Sequence, residues 1–154
     1  MANEIVSELR GTTLWITFNR PEARNALTFS MYEELARLCA TIPSDGSVRA
    51  EDMAGAGGKA FAAGTYMAQI RGFTISQDSL DYEEEITRVL TAVDQCPVPT
   101  IAAVHGACTG GGASIAAACD IRIASADLKF GFPIARTLGN CLNAGNLARL
   151  TDLM

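Results

Sequence analysis

Two glycine-rich stretches carry residue types that can do chemistry. Gly110-Gly111-Gly112 follows the short apolar run Thr100 to Val104 and the break at His105-Gly106. Without a Cβ, glycine lets the main chain turn sharply and approach a ligand closely. The small residues Ala113 to Cys119 come next and suit a buried helix. The first free N–H groups of that helix and the positive end of its dipole face the turn, which favours negative charge there. Upstream lies a second turn, Phe61-Ala62-Ala63-Gly64-Thr65, after the loop Gly55 to Lys59. A glycine turn standing alone reads more readily as a close helix–sheet crossing. Together, two separate turns can each give one N–H to a single oxygen. That is an oxyanion hole, suited to a carbonyl that becomes an enolate or a tetrahedral anion.

Other motifs fit less well. Gly55-Ala56-Gly57-Gly58-Lys59-Ala60 matches G-x-G-x-x-A formally. A dinucleotide fingerprint needs a good strand before it and a long helix after it. Here Glu51 and Asp52 compromise the strand, and Gly64 interrupts the helix. Gly58-Lys59 is not a phosphate-binding P-loop, since Ala60 replaces the Ser/Thr that would hold magnesium. His105, the single histidine, has no Ser–His–acid spacing around it and reads as a structural turn residue. Ser114 stands in the first helical turn without a G-x-S-x-G, so a local cap is the plain reading.

The elements that must position these turns follow from periodicity. Ile5 to Leu9 and Thr13 to Phe18 are β-prone runs around Arg10-Gly11 and predict a hairpin with Trp15 and Phe18 in the core. A helix should start near Thr28 or Ser30, with Ser30 and Glu33 fitting a capping box and Met31, Leu35 and Leu38 forming its apolar stripe. Val48 to Ala54 should be a strand, although Glu51 and Asp52 stand where a buried strand wants aliphatic residues. Asp81 to Gln95 reads as a helix with Tyr82, Ile86, Val89 and Val93 on one face. Ile121 to Ser125 reads as a strand, Ala126 to Pro133 as a loop, and Asn146 to Met154 as a helix. Strand and helix alternating in this order imply right-handed crossovers and a largely parallel sheet.

Composition sets the limits. The chain has 154 residues, enough for one domain with a core, spanning 1–154. Hydrophobic residues make up 49% and charged residues 19%, which is a globular balance. A net charge of −5 without a basic cluster argues against nucleic acid or an anionic membrane as partner. The acidic N-terminus lacks a signal-peptide apolar core, and no apolar run is long enough to span a membrane. Five widely spaced cysteines without a CxxC suggest reduced, mostly buried thiols in a cytoplasmic protein. With one histidine and no CxxC, no metal site is expected.

Taken together, the chain resembles the crotonase (enoyl-CoA hydratase/isomerase) superfamily. The matching stretches are NRPEARNAL at Asn19 to Leu27, GAGGKAFAAGT at Gly55 to Thr65, PTIAAVHGACTGGG at Pro99 to Gly112, CDIRIAS at Cys119 to Ser125 and FGFPIARTLG at Phe130 to Gly139. The resemblance implies an α/β spiral of ββα units that binds acyl-coenzyme A thioesters, with coenzyme A entering as part of the substrate and no separate cofactor. It puts the oxyanion-hole N–H groups on Thr65 and Gly111. It lays Arg24, Asn25 and Ala26 along the coenzyme A phosphates and nucleotide, and the backbone of Ala62, Ala63, Gly64, Tyr66 and Met67 near the adenine and thioester. The two glutamates that hydratases of this family use would fall at Ser114 and Ile134, and neither residue can do a carboxylate's work. Tyr66 stands where many members have Asp. Members of the family are longer, so the resemblance implies an N-terminal core without the C-terminal helical region that closes the acyl pocket and builds trimers or hexamers. The expected function is an enoyl-CoA hydratase/isomerase-like lyase or isomerase of fatty acid metabolism. The alternatives are a non-catalytic acyl-CoA-binding or assembly subunit of the same fold and, from the glycine motif, an NAD-binding domain.

Overall fold

The computed structural model describes residues 3–134, 136 and 141–153. The chain opens with the predicted hairpin. β1 (Ile5–Arg10) and β2 (Thr13–Phe18) pair antiparallel, with Arg10 opposite Thr13, and Gly11 at φ +61° makes the two-residue turn. A left-handed glycine suits such a turn because its twist matches that of the strands. Trp15 is half-buried beneath the Arg10 guanidinium at 4.8 Å, whereas Phe18 is fully buried.

α1 (Phe29–Ala40) buries Met31, Leu35 and Leu38 as its periodicity predicts, and Tyr32, Ala36 and Cys39 beside them. Its cap is Thr28, whose Oγ1 accepts from Met31 N at 3.3 Å. Ser30 is not the cap; its hydroxyl donates to Glu4 at 3.1 Å.

From there the chain repeats one move three times. β3 (Ala50–Gly55), β5 (Thr100–Val104) and β7 (Ile121–Ala124) join the hairpin in a five-stranded sheet of order β1-β2-β3-β5-β7, parallel from β2 onward. Each is followed, after a short bend, by a three-residue strand of a second parallel sheet: β4 (Ala60–Ala62), β6 (Ala107–Thr109) and β8 (Lys129–Gly131). The helices α2 (Met67–Ile70) and α3 (Ser76–Asp94) follow β4, and α4 (Gly111–Ala118) follows β6. This is the expected spiral of ββα units. Three strands fall where loops or turns were expected, because three residues are too few to show a period-two pattern. Phe18 on β2 and Phe61 on β4 meet edge to face at 5.2 Å and join the two sheets.

α3 begins five residues earlier than predicted. The Asp78 carboxylate reaches back from the first turn and accepts from Thr74 N at 2.7 Å and from the capping residue's Ile75 N at 3.1 Å, which fixes the chain entering the helix. Asp120 locks the end of α4 to the start of β5, accepting from Thr100 N at 2.8 Å and Thr100 Oγ1 at 2.9 Å. α5 (Ala144–Asp152) covers most of the predicted last helix; Met154 and part of FGFPIARTLG, residues 135 and 137–140, lie outside the described residues.

Glu51 and Asp52 sit on β3 as predicted, and the strand separates them to opposite faces. Glu51 is wholly buried and accepts from the thiols of Cys39 at 3.3 Å and Cys96 at 3.5 Å. Burial pushes its carboxyl above the usual range. Asp52 is half-buried between Trp15 on β2 and Ile101 on β5, with Oδ1 buried and unpartnered. No helix among the described residues is long and apolar enough to cross a membrane.

Candidate active site

The first glycine turn leaves β4 through Ala63 and Gly64, where φ is +95°. The segment Arg24 to Leu27 is strapped along it by three main-chain bonds. Ala63 N donates to Arg24 O at 3.1 Å, Leu27 N to Gly64 O at 2.8 Å, and Tyr66 N to Leu27 O at 2.7 Å. Leu27 and Thr65 thus form a parallel bridge. In such a bridge one residue bonds to both neighbours of its partner, so the partner's own N–H points away. The Thr65 N–H accordingly has no acceptor among the described residues.

The second turn joins β6 to α4. Gly110 has φ +52° and ψ −121°, and its N–H donates to Gly131 O at 3.0 Å on β8. The first helical bond runs from Ser114 N to Gly110 O at 2.9 Å, which leaves the N–H groups of Gly111, Gly112 and Ala113 unspent. Each glycine has its own reason. Gly110 needs the left-handed φ, a side chain at Gly111 would overlap the Tyr32 hydroxyl, and one at Gly112 would overlap the Ala62 carbonyl.

The two turns touch. A Cβ built on Gly110 would lie 3.6 Å from Gly64 Cα, and one on Gly64 would lie 3.4 Å from Thr109 O. A Cβ on Gly111 would lie 3.2 Å from Thr65 Oγ1. Thr65 and Gly111 are therefore neighbours, although 46 positions separate them in the chain.

Behind this junction stands a chain of hydroxyls that sequence reasoning missed. Tyr32 Oη is 2.8 Å from Thr65 Oγ1, which is 2.7 Å from Tyr82 Oη. Burial raises both phenols above the ordinary tyrosine value, so they stay neutral and able to donate. The available signal was Tyr82 within one apolar helix stripe and Tyr32 next to the other, because a buried phenol needs a partner for its hydroxyl. The Tyr82 ring packs at a tilt against Phe29 and Phe73, each at 5.9 Å, and those two rings stack on one another at 6.3 Å. These aromatics and Gln69 line a cleft of ≈ 590 Å³, rimmed by Glu33, Asp78, Asp81 and Glu85.

The remaining predicted residues divide by exposure. Arg24 is exposed, and Tyr66 and Met67 are exposed at the edge of the turn, whereas Ala26 and Ala63 are half-buried and Ala62 and Gly64 are buried. Asn25 is wholly buried; its Oδ1 accepts from Arg20 N at 3.0 Å, and its Nδ2 donates to Ala56 O at 3.0 Å and Ala60 O at 2.8 Å. Its side chain is thus turned inward, where it holds the loop to β4. Arg20, not singled out by the sequence, donates to Ala26 O at 2.7 Å and stacks over the Tyr66 ring at 4.6 Å. Ser114 is buried in α4 and Ile134 is half-buried. The His105 carbonyl accepts from Phe61 N at 2.9 Å, and its side-chain Nε2 is buried without a hydrogen-bond partner among the described residues.

Fold and sequence place the chain among known proteins. The enoyl-CoA hydratase/isomerase family model matches residues 8–152, and the chain belongs to this family. The short-chain-enoyl-CoA hydratase of Clostridium acetobutylicum is 34% identical over 152 residues, covering 99% of this chain and 58% of that protein. The mitochondrial Δ(3,5)-Δ(2,4)-dienoyl-CoA isomerase of Mus musculus is 32% identical over 160 residues, covering 97% and 48%. A crystal structure of an enoyl-CoA hydratase/carnithine racemase from Magnetospirillum magneticum superposes with a TM-score of 0.91 at 33% identity, covering 99% of this chain and 57% of that one. The chain thus spans about half the length of the relatives it matches.

Proposed function

We propose that this chain binds an acyl-CoA thioester and holds its carbonyl oxygen between the N–H groups of Thr65 and Gly111. The observation that carries the reading is the junction of the two turns, each with a main-chain donor that has no partner among the described residues. Two fixed donors stabilise the oxyanion formed when the α-carbon loses a proton, and losing one such donor typically costs about 10²–10³ in rate. The aromatic cleft, connected to Thr65 through the Tyr82 hydroxyl, suits a neutral acyl group, and the carboxylates in its lining disfavour one that ends in a carboxylate. Exposed Arg24, with Ala26, Tyr66 and Met67 beside it, is the proposed contact for coenzyme A.

Adding water across a double bond needs a base for the water and an acid for the α-carbon. Ser114 and Ile134 carry no carboxyl group. The reading is therefore enolate stabilisation, as in isomerisation or thioester or C–C cleavage, and not hydration. The same absence favours a second reading, a non-catalytic acyl-CoA binder. Calorimetry with butyryl-CoA, followed by turnover assays on crotonyl-CoA and a panel of thioesters, separates the two. Binding with turnover of a thioester other than crotonyl-CoA supports the first, and binding without any turnover supports the second. Hydration of crotonyl-CoA removes the restriction to other enolate chemistry, and no acyl-CoA binding removes both readings.

A further inference from the structure

Outside the glycine turns, three side chains able to ligate a metal converge from α1, β3 and the residues just after α3. Cys39 Sγ lies 3.3 Å from Glu51 Oε1, and Cys96 Sγ lies 3.5 Å from Glu51 Oε2. One donor atom from each of the three falls within 4.8 Å of the others. Cys39 and Glu51 are buried, and Cys96 is half-buried. Among the described residues Glu51 has no cationic partner. A wholly buried carboxyl group without a counter-charge keeps its proton, and its charged form is found paired or coordinated to metal.

The spacing matches a tetrahedral ion. Zinc–sulfur bonds of about 2.3 Å and zinc–oxygen bonds of about 2.0–2.2 Å put sulfur and oxygen about 3.6 Å apart at the tetrahedral angle. The sulfur–oxygen separations of 3.3 Å and 3.5 Å, one to each oxygen of the Glu51 carboxylate, lie close to that value. Thiolate ligands select zinc and similar soft cations over magnesium or calcium. We propose that Cys39, Glu51 and Cys96 form a binding site for a thiophilic divalent cation such as Zn²⁺, with the fourth position on the half-buried Cys96 side. The ion ties α1, β3 and the α3–β5 connection together. None of its ligands belongs to the glycine turns, so its role is structural.

The test uses the reduced full chain, stripped of metal by a chelator and titrated with Co²⁺. The expected result is a thiolate-to-cobalt charge-transfer band and the visible bands of tetrahedral cobalt, saturating at one ion per chain and bleached by Zn²⁺. Cys96→Ser, at the half-buried position, and Glu51→Gln each weaken binding by at least the ~10–100-fold that loss of an outer-shell partner costs. Cys108→Ala, which removes a buried thiol outside the cluster, leaves the titration unchanged. Absence of a charge-transfer band in the folded wild-type chain overturns the proposal, as does a band that persists in Cys39→Ala/Cys96→Ser. Thermal melting of the wild-type chain gives an independent measure: Tm rises with Zn²⁺ and not with Mg²⁺. A Tm indifferent to Zn²⁺ also overturns it.

Discussion

The Tyr32 hydroxyl fills the space that a side chain at Gly111 would need, and it shares a 2.8 Å hydrogen bond with Thr65 Oγ1. One phenol thus touches both of the turns on which the proposed oxyanion site depends. Gly111→Ala forces this hydroxyl aside and should cost about 1–3 kcal/mol, as overpacking of a close-packed core does. In a Tyr32→Phe background the worst overlap is removed, and a Cβ at position 111 is left with tight contacts to ring carbon Cζ at 3.3 Å and Thr65 Oγ1 at 3.2 Å. Urea denaturation of the four proteins of this cycle should show the double variant more stable than the sum of the single changes. Strict additivity would mean that the two positions do not touch.

Thr65→Val keeps the shape of the side chain and removes the oxygen between Tyr32 and Tyr82. Partly unsatisfied buried hydroxyls should cost about 1–3 kcal/mol, whereas Thr65→Ser retains the bonds and most of the stability. Butyryl-CoA affinity should follow the same order, since the hydroxyl chain holds the main chain of the turn in place. Equal stability of the Val and Ser variants would show that the chain of hydroxyls contributes nothing.

Asn25 is a buried non-glycine residue at φ 55° with three hydrogen bonds through its side chain. Asn25→Ala loses the bonds and leaves a residue that dislikes the left-handed region, at a cost of roughly 1–2 kcal/mol for the backbone alone. Asn25→Gly removes that backbone cost but not the loss of the bonds. Chemical denaturation should therefore order the proteins wild type, Gly, Ala. A Gly variant as stable as wild type would confine the role of Asn25 to its backbone.

Asp52 gives a pH dependence. Burial raises its carboxyl above the ordinary 3.8. The folded state therefore holds the proton more tightly than the unfolded chain. The stability linked to this group is fully present below 3.8 and is lost as pH rises through the raised folded value. Asp52→Val should raise Tm by a few degrees at pH 8, in line with removal of an unpaired buried polar atom, and by less at pH 4. A gain that is larger at pH 4 would reverse the assigned sign.

Much of the fold can be read directly from residue order. The hairpin, the stripes of α1 and α3, the strand at Thr100 to Val104 and both glycine turns show themselves through local pattern, because periodicity and glycine conformation act over a few residues. The short strands β4, β6 and β8 do not, since pairing across the second sheet defines them rather than their own composition. Likewise Glu51 and Asp52 look like one defect in the sequence. Pairing makes them two different residues, one facing the buried thiols and the other facing Trp15 and Ile101.

Residue order fixes the turns, caps and apolar faces, and its motifs mark the family. Folding in three dimensions sets which distant residues meet. It brought Gly64 against Gly110, Tyr32 against Thr65, and Cys39 and Cys96 onto Glu51. The physical reason is that local propensity depends on neighbours along the chain, whereas hydrogen bonds, ligand sets and steric exclusion depend on distances that exist only once the two sheets have closed on each other.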